Sequence, residues 1–522
     1  MRSTVIGSGR LGGPAFAAKH RAEVFPLLKR AVWHLGCVMA AMAVAGCAPT
    51  LNIRAVPEEL PVATHWPANA LPAERQGIRP VESPWRDYVV DEQLRALIEK
   101  ALANNRDLRL ALLRVEEARA AHGIQRSEQF PMIGLTGVGA RARVPDDLIL
   151  TGEPAIHEVA GLAVGLTSWE LDLWGRVRSL NEAALQNYLA TDHAQRAVRA
   201  SVITAVAQAY LSQRDYDERI ALANQTIASR EESYRIFRRR NEMGSTSDLE
   251  LTQVETLLIQ ARTLGTQLQQ ARAAQAHALT QLVGASIEQL TIAEPALRDE
   301  AIFAALDAGL PSDLLTARPD IIAAERQLAA ANANIRAARA AFFPRIALTG
   351  NFGTLSAELA GLFESGSRTW VFAPTISLPI FDGGRRRAAL DLAEVRSDIA
   401  VASYEKTIQN AFREVADALS ARQALAQLVE QLRQARDVQD RRARLAQLRY
   451  ESGAAAYLEV LDAQRNQLEA QQQLVQVRRQ LLASQVALYA ALGGGAGFDR
   501  TVESTAGSPS NPSLTTRLPH QE

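Results

Sequence analysis

The chain has 522 residues, 47% of them apolar but only 5% aromatic, and its 57 basic and 57 acidic side chains cancel to a formal net charge of +0. Abundant Ala, Gln, Arg, Leu and Glu suit long helices packed through small residues rather than aromatic-centred globular cores. Balanced charge gives no bulk attraction to nucleic acid, and a single N-terminal apolar run excludes a polytopic helical membrane protein.

Arg2, Arg10, Lys19, Arg21, Lys29 and Arg30 precede the run AVWHLGCVMAAMAVAGC, the order of a secretory signal. The run closes on Val44-Ala45-Gly46-Cys47, which resembles a lipobox: small residues suit a cleavage pocket and the thiol suits acylation. Residues 1–46 are therefore expected to be a lipoprotein signal peptide, Cys47 the lipidated residue, and 47–84 a lipid-anchored extension. Removal of Cys37 with the signal leaves no second cysteine for an intrachain disulfide.

Beyond residue 84 the text occurs twice. Asn105-Arg106-Asp107-Leu108 is echoed 213 residues later by Arg318-Pro319-Asp320-Ile321, and each leads through an Ala/Arg-rich helical run to a stop at Pro131 or Pro344. Trp169–Arg178 matches Leu378–Arg387 at an offset of 209, which also relates Gly175 to Gly384 and Gly244 to Gly453. The chain is a duplication, with a first repeat over 85–316 and a second over 317–495.

Each repeat has one order of elements. An initial helix is followed by two strands, expected at 132–143 and 160–170 in the first repeat and at 345–353 and 370–381 in the second. The strands show a period of two: Ile346, Leu348, Gly350 and Phe352 share one parity, as do Trp370, Phe372, Ile376, Leu378 and Ile380. In the first repeat the alternation of Leu162, Val164 and Leu166 changes parity at Trp169, which predicts a bulge. Loops around 145–160 and 354–369 join the pairs.

Proline-free segments predict very long helices over 176–243 and 385–452, each reaching roughly 100 Å at ~1.5 Å per residue. Glycine turns lead to return helices over 247–284 and 456–492, whose heptads (Leu461, Leu468, Val475, Leu482) imply supercoiled packing. Residues 496–522, rich in Ser, Pro, Asn and Thr, are expected to be a disordered tail.

Four strands with an apolar outer face cannot close around a pore, and lipid does not tolerate an open sheet edge. Either the sheet belongs to a soluble sandwich or several chains complete it. The exported, acylated context favours the second: three chains would supply twelve strands and twelve helical rods.

Ala101–Ala120, Ser168–Arg176 (SWELDLWGR), LPIFDGGRRRA and YESGAAAYLEVLDAQ…LYAALGGG, in this order, resemble the TolC-like outer-membrane factors, in particular the NodT-type lipoprotein branch attached to resistance–nodulation–division efflux systems. The resemblance runs from about Trp85 to Gly495. It implies a mainly α fold with a small β part: a homotrimer with a 12-stranded outer-membrane β-barrel, a periplasmic α-helical barrel of coiled-coil hairpins, and an equatorial belt from 85–100, 285–316 and the C-terminal region. The implied function is that of a passive exit duct of a tripartite drug-efflux pump in a Gram-negative outer membrane. The implied partners are outer-membrane lipid, a periplasmic adaptor and an inner-membrane proton-driven transporter.

Carried over by position, the resemblance puts a gate at the periplasmic tip: Asp462 and Glu459 as acidic aperture residues, Leu458 as an apolar constriction, Glu250 as the first-repeat acidic partner, and Tyr450 as an inter-helix link. Where some members carry a basic link residue this chain has Ala455, so Arg449 is the expected substitute. Gly244, Ser245, Gly453, Ala454 and Ala455 form the hairpin tips expected to meet the adaptor. Independently of any family, three carboxylates converging on a narrow opening repel one another, titrate as a coupled set and attract cations.

The histidines at 65, 122, 157, 193 and 277 show no metal-ligand spacing, and Gly493–Gly495 lacks the lysine of a phosphate cradle. No catalytic residue, metal or cofactor is expected. A type I protein-secretion duct shares the same architecture, and a periplasmic adaptor or structural coiled-coil lipoprotein is the other alternative, opposed by the twofold repeat and the strands.

Overall fold

The computed structural model describes residues 77–80, 83–144, 155–287, 302–307 and 313–496. The expected signal peptide, the Cys47 acylation site and the tail beyond 496 lie outside these residues, as do most of the 47–84 extension and much of the 285–316 linker.

The first repeat contains α1 (Trp85–Tyr88), α2 (Glu92–Asn104), α3 (Arg106–Ser127), β1 (Ile133–Val144), β2 (Ala155–Glu170), α4 (Arg176–Glu242) and α5 (Asp248–Val283). The second contains α6 (Asp313–Ala317), α7 (Pro319–Ala340), β3 (Arg345–Ser356), β4 (Arg368–Ser377), α8 (Arg385–Glu451) and α9 (Tyr457–Ala491). Both long helices, α4 and α8, have 67 residues.

Helix starts follow from local chemistry. Asp91 caps α2 by accepting from the Leu94 N–H, and Asn105, which ends α2, caps α3 by accepting from the Leu108 N–H. The long helices are entered through left-handed glycines, Gly175 (φ +78°) and Gly384 (φ +88°). An aspartate just upstream covers their open N–H groups: Asp172 accepts from Val177 and Arg178, and Asp382 from Gly384 and Arg386.

The repeat is also a repeat of contacts. Asn105 Nδ2 donates to the Leu282 carbonyl (2.7 Å) and Arg318 Nη1 to the Ala491 carbonyl (2.9 Å). Arg318 lies 213 residues after Asn105, and Ala491 lies 209 after Leu282, the offsets found in the sequence. In each half, then, the start of the upper helix is tied to the end of the return helix.

The four strands form one antiparallel sheet in the order β1-β2-β3-β4. Leu135, Val164, Phe352 and Trp370 lie in one cross-strand row, and all four are at least half exposed, so no layer among the described residues covers that face. The register shifts between Leu166 and Trp169, where Ser168 takes φ +46° and the alternation of β2 changes parity. Strand ends differ from expectation. β2 begins at Ala155 rather than 160 and β3 runs to Ser356 rather than 353, lengthening the β-ribbons; β4 stops at Ser377 rather than 381, short of Pro379, which has no N–H for a ladder.

The largest core lies where the return helices meet the upper helices. Tyr88 stacks between Tyr489 (centroids 4.2 Å apart) and Phe303 (5.1 Å), and Trp85, Ile98, Tyr210, Leu279, Ile408 and Leu482 are fully buried around them. Residues 302–307 join this knot through bridges Val89–Phe303 and Ile78–Leu306. Among the described residues no helix is long and apolar enough to cross a membrane.

Candidate functional site: the paired helix tips

The α4–α5 and α8–α9 turns are built alike. In the first, the Gly244 N–H donates to the Asn241 carbonyl and the Ser245 N–H to the Arg240 carbonyl, each at 2.8 Å; in the second, Gly453 donates to Tyr450 (2.9 Å) and Ala454 to Arg449 (2.8 Å). These paired 5→2 and 6→1 bonds form Schellman caps, which require the left-handed φ of +70° at Gly244 and +76° at Gly453. Ser245 and Ala454 are exposed at the tips, and Ala455 is half-buried.

Beyond the turns the halves diverge. The α5 start carries a complete capping box: Ser247 Oγ accepts from the Glu250 N–H (3.2 Å), and the Glu250 carboxylate accepts from the Ser247 N–H (3.1 Å) and from Thr246 Oγ1 (2.5 Å). α9 starts from Ala456 without a side-chain cap. Glu250 is thus occupied in its own turn, and no described bond joins it to Asp462 or Glu459.

The two hairpins touch through aromatic side chains. Tyr457, buried, packs against Phe237 (centroids 4.4 Å apart) and Tyr450 (4.8 Å), and its hydroxyl hydrogen-bonds with that of Ser233 at 2.8 Å. Arg240 lays its guanidinium over the Phe237 ring and donates from Nη1 to the Tyr450 hydroxyl at 2.6 Å. Tyr450 therefore links α8 to α4, and its partner is Arg240 rather than the expected Arg449.

Arg449 instead donates to Glu459 at 2.6 Å within its own hairpin. Asp462 is held on both oxygens, by Arg442 Nη2 at 2.6 Å and Arg465 Nη2 at 2.5 Å, with Asn466 Nδ2 at 3.2 Å. The expected bare acidic pair is, in the protomer, a set of guanidinium–carboxylate contacts. With side chains 37–58% exposed, such pairs contribute about 0–1 kcal/mol each and set local charge more than stability. Leu458, one turn before Asp462, is 56% exposed.

Arg240, Arg442 and Arg465 were not anticipated. Arg240 had a signal: it lies 209 residues before Arg449 and so holds the equivalent place in the first repeat. Arg442 had none, because it reaches Asp462 from the neighbouring antiparallel helix, 20 positions away.

The hydrogen bonds from Thr246 and Ser247 hold the Glu250 carboxyl below the ordinary carboxylate range. A carboxyl with a depressed folded pKa stabilises the fold above its unfolded pKa and loses that contribution as pH falls through the folded value. The first turn of α5 is therefore expected to fray as pH drops below the ordinary carboxylate range. Glu250→Ala should produce the same fraying at neutral pH, at a cost of about 0.5–1.5 kcal/mol, the net worth of a hydrogen bond. Local amide exchange of residues 246–252, corrected for intrinsic rates, measures both; protection unchanged by acid and by the substitution would show that the box is not holding the turn.

Among the described residues no group of three or more His, Cys, Asp or Glu converges as a metal site. What the tips offer is mechanical and electrostatic: two hairpins joined by one charge-assisted bond, the Tyr457–Ser233 hydroxyl bond and an aromatic contact, with paired charges beside them.

Comparison with known proteins places this geometry in context. The family model described as outer membrane efflux protein matches residues 97–285 and 310–494. The antibiotic efflux pump outer membrane protein ArpC of Pseudomonas putida is 42% identical over 463 residues, covering 88% of this chain and 95% of its own. Outer membrane protein OprJ of Pseudomonas aeruginosa is 42% identical over 470 residues, covering 90% and 97%. Among solved structures, the open state of the Neisseria gonorrhoeae MtrE outer membrane channel aligns with a TM-score of 0.76 at 36% identity, over 84% of this chain and 96% of that one.

Proposed function

This chain belongs to the outer membrane efflux protein family, and from that premise we propose that it is the outer-membrane duct of an efflux pump, three copies forming one channel closed at the paired helix tips. One observation carries the reading: among the described residues, an open four-stranded sheet with two free edges and an uncovered apolar face lies on the same chain as two 67-residue helices. In hydrocarbon each unpaired backbone N–H or C=O costs several kcal/mol, so the free edges of β1 and β4 must be paired by further copies. Closing the sheet turns its apolar face to lipid, and the long helices continue the wall as a tunnel on the periplasmic side.

Such a duct has no energy source of its own. The reading therefore includes an energised inner-membrane transporter and a periplasmic adaptor that meets the tips around Gly244, Ser245, Gly453, Ala454 and Ala455, with acylated Cys47 as an added anchor. Drugs or organic solvents are the substrate class this reading favours, in line with the names of relatives such as ArpC and the toluene efflux pump outer membrane protein TtgC of Pseudomonas putida.

The purified full chain, reconstituted in planar bilayers, is expected to give discrete conductance steps, and its mass in detergent is expected to be that of three copies. A non-conducting monomer would overturn the reading.

A further inference from the structure

Arg230, on α4, is 3% exposed, and among the described residues its guanidinium makes one hydrogen bond, from Nη1 to the Leu257 carbonyl of α5 at 2.6 Å. Its Nε is buried without a partner. No described carboxylate pairs with it: burial pushes the group below its ordinary pKa, and only the Tyr457 phenol acts in the other direction. A guanidinium keeps its proton in a folded protein, so the charge stays, and one neutral carbonyl does not offset the hydration it has lost.

The internal repeat shows that the helix does not need a cation at this place. The offset of 209 relates Arg230 to Gln439 on α8, a neutral side chain. The charge belongs to the first repeat alone, and it borders a cavity of about 410 Å³ between α4, α5 and α9.

The other charges on the cavity wall are accounted for differently. Arg219 lies 3.5 Å from Asp215 and donates from Nε to the Gln472 amide oxygen at 2.6 Å, and Arg465 is committed to Asp462. Glu469 is the one carboxylate among the lining residues; it is exposed on α9 and makes no ion pair with Arg230. The cavity therefore joins a buried, uncompensated cation to space that an ion can enter.

We propose that this cavity is an anion site, in which a compact anion, a halide or the phosphate or carboxylate group of an oxyanion, sits against the Arg230 guanidinium. The fork has five N–H donors, of which the chain uses one. Burial makes the contact count: an arginine in water is already satisfied by its hydration, whereas this one is not. The volume leaves room for water beside the ion. Arg230 stands one turn before Ser233, whose hydroxyl meets that of Tyr457, so an anion here fastens α4 to α5 and α9 next to the contact between the hairpins. All the residues named lie within one chain.

The test is thermal unfolding of the purified full chain in detergent, with chloride, phosphate or acetate replacing methanesulfonate at constant ionic strength. At least one of the three is expected to raise the unfolding temperature along a saturating curve, and which one does so separates a halide from an oxyanion. Arg230→Gln, which copies the residue of the second repeat, should weaken the apparent affinity roughly 10- to 150-fold, the loss of one hydrogen bond to a charged group. General salt effects act on both proteins alike and cancel in the comparison. Glu469→Gln keeps Arg230, removes the carboxylate beside it and should tighten binding. An unsubstituted chain that responds to none of the three ions, or responds just as Arg230→Gln does, overturns the site. So does a destabilised Glu469→Gln variant that is restored by adding Arg230→Gln, because Glu469 is then the counter-ion.

Discussion

Arg240→Ala is expected to raise the ratio of open to closed channel in bilayer recordings by roughly 10- to 150-fold. In the proposed gate the two hairpins are joined by the Arg240–Tyr450 bond, at 2.6 Å and with one charged partner. A hydrogen bond to a charged group contributes about 1.5–3 kcal/mol, and each 1.4 kcal/mol is a factor of about ten in an equilibrium. The whole of that bond is lost when the hairpins separate, so its removal acts on the closed state alone. Tyr450→Phe, which keeps the ring packed on Tyr457 and deletes only the acceptor, should move the ratio in the same direction. Asp462→Ala should move it far less, because its partners are exposed guanidiniums; its effect belongs in ion preference, as Arg442 and Arg465 lose the carboxylate between them. An open-to-closed ratio unmoved by Arg240→Ala would show that the tip is held elsewhere, with the Phe237–Tyr457 contact the next candidate.

The second large effect is a contrast between two glycines 209 residues apart. Gly284 and Gly493 end α5 and the turn after α9 with positive φ, +70° and +84°. An alanine at either place pays the left-handed penalty of about 1–2 kcal/mol. At Gly284 the new Cβ would also lie 2.4 Å from the Asn104 carbonyl oxygen and 2.8 Å from its carbon, both backbone atoms that cannot swing aside. At Gly493 the nearest atom, the Ala317 oxygen, is 3.4 Å away. Gly284→Ala is therefore expected to cost about 3–5 kcal/mol, the range of severe single substitutions, and to loosen the Asn105–Leu282 tie beside it. Gly493→Ala should cost about 1–2 kcal/mol. Denaturant midpoints of the two variants, measured side by side in detergent, give the comparison; equal shifts would mean that the α2–α3 corner yields and the close approach is not a constraint.

Much of the fold was legible because its signals are local and repeated. Proline-free runs between Gly175 and Gly244 and between Gly384 and Gly453 delimit the long helices, and period-two alternation marks the strands, down to the parity change at Trp169 where the register slips. Strand ends were harder. Pairing partners rather than local pattern carry β2 back to Ala155, and the alternation of Leu378 and Ile380 runs across Pro379, which has no N–H to extend the ladder.

The site was legible in part. The positions of Asp462, Glu459, Leu458 and Tyr450 beside the Gly453 turn follow from spacing and resemblance. Their charge state does not. Spacing along one helix says nothing about what a neighbouring helix presents: the antiparallel α8 supplies Arg442 to Asp462 on α9, and the parallel α4 supplies Arg240 to Tyr450 on α8. Glu250 misled for the opposite reason: its place is equivalent to Glu459, but the Thr246-Ser247 pair before it turns the carboxylate back into its own helix start.

By itself, then, the order of residues determined the duplication, the helix-strand-strand-helix plan of each half, and the one apolar face of the strands, because these depend on period and offset alone. Tertiary structure decided which side chains neutralise which, that Arg240 bonds Tyr450 across the hairpins, and that Gly284 is hemmed in by Asn104, because these depend on which helices lie side by side and at what level.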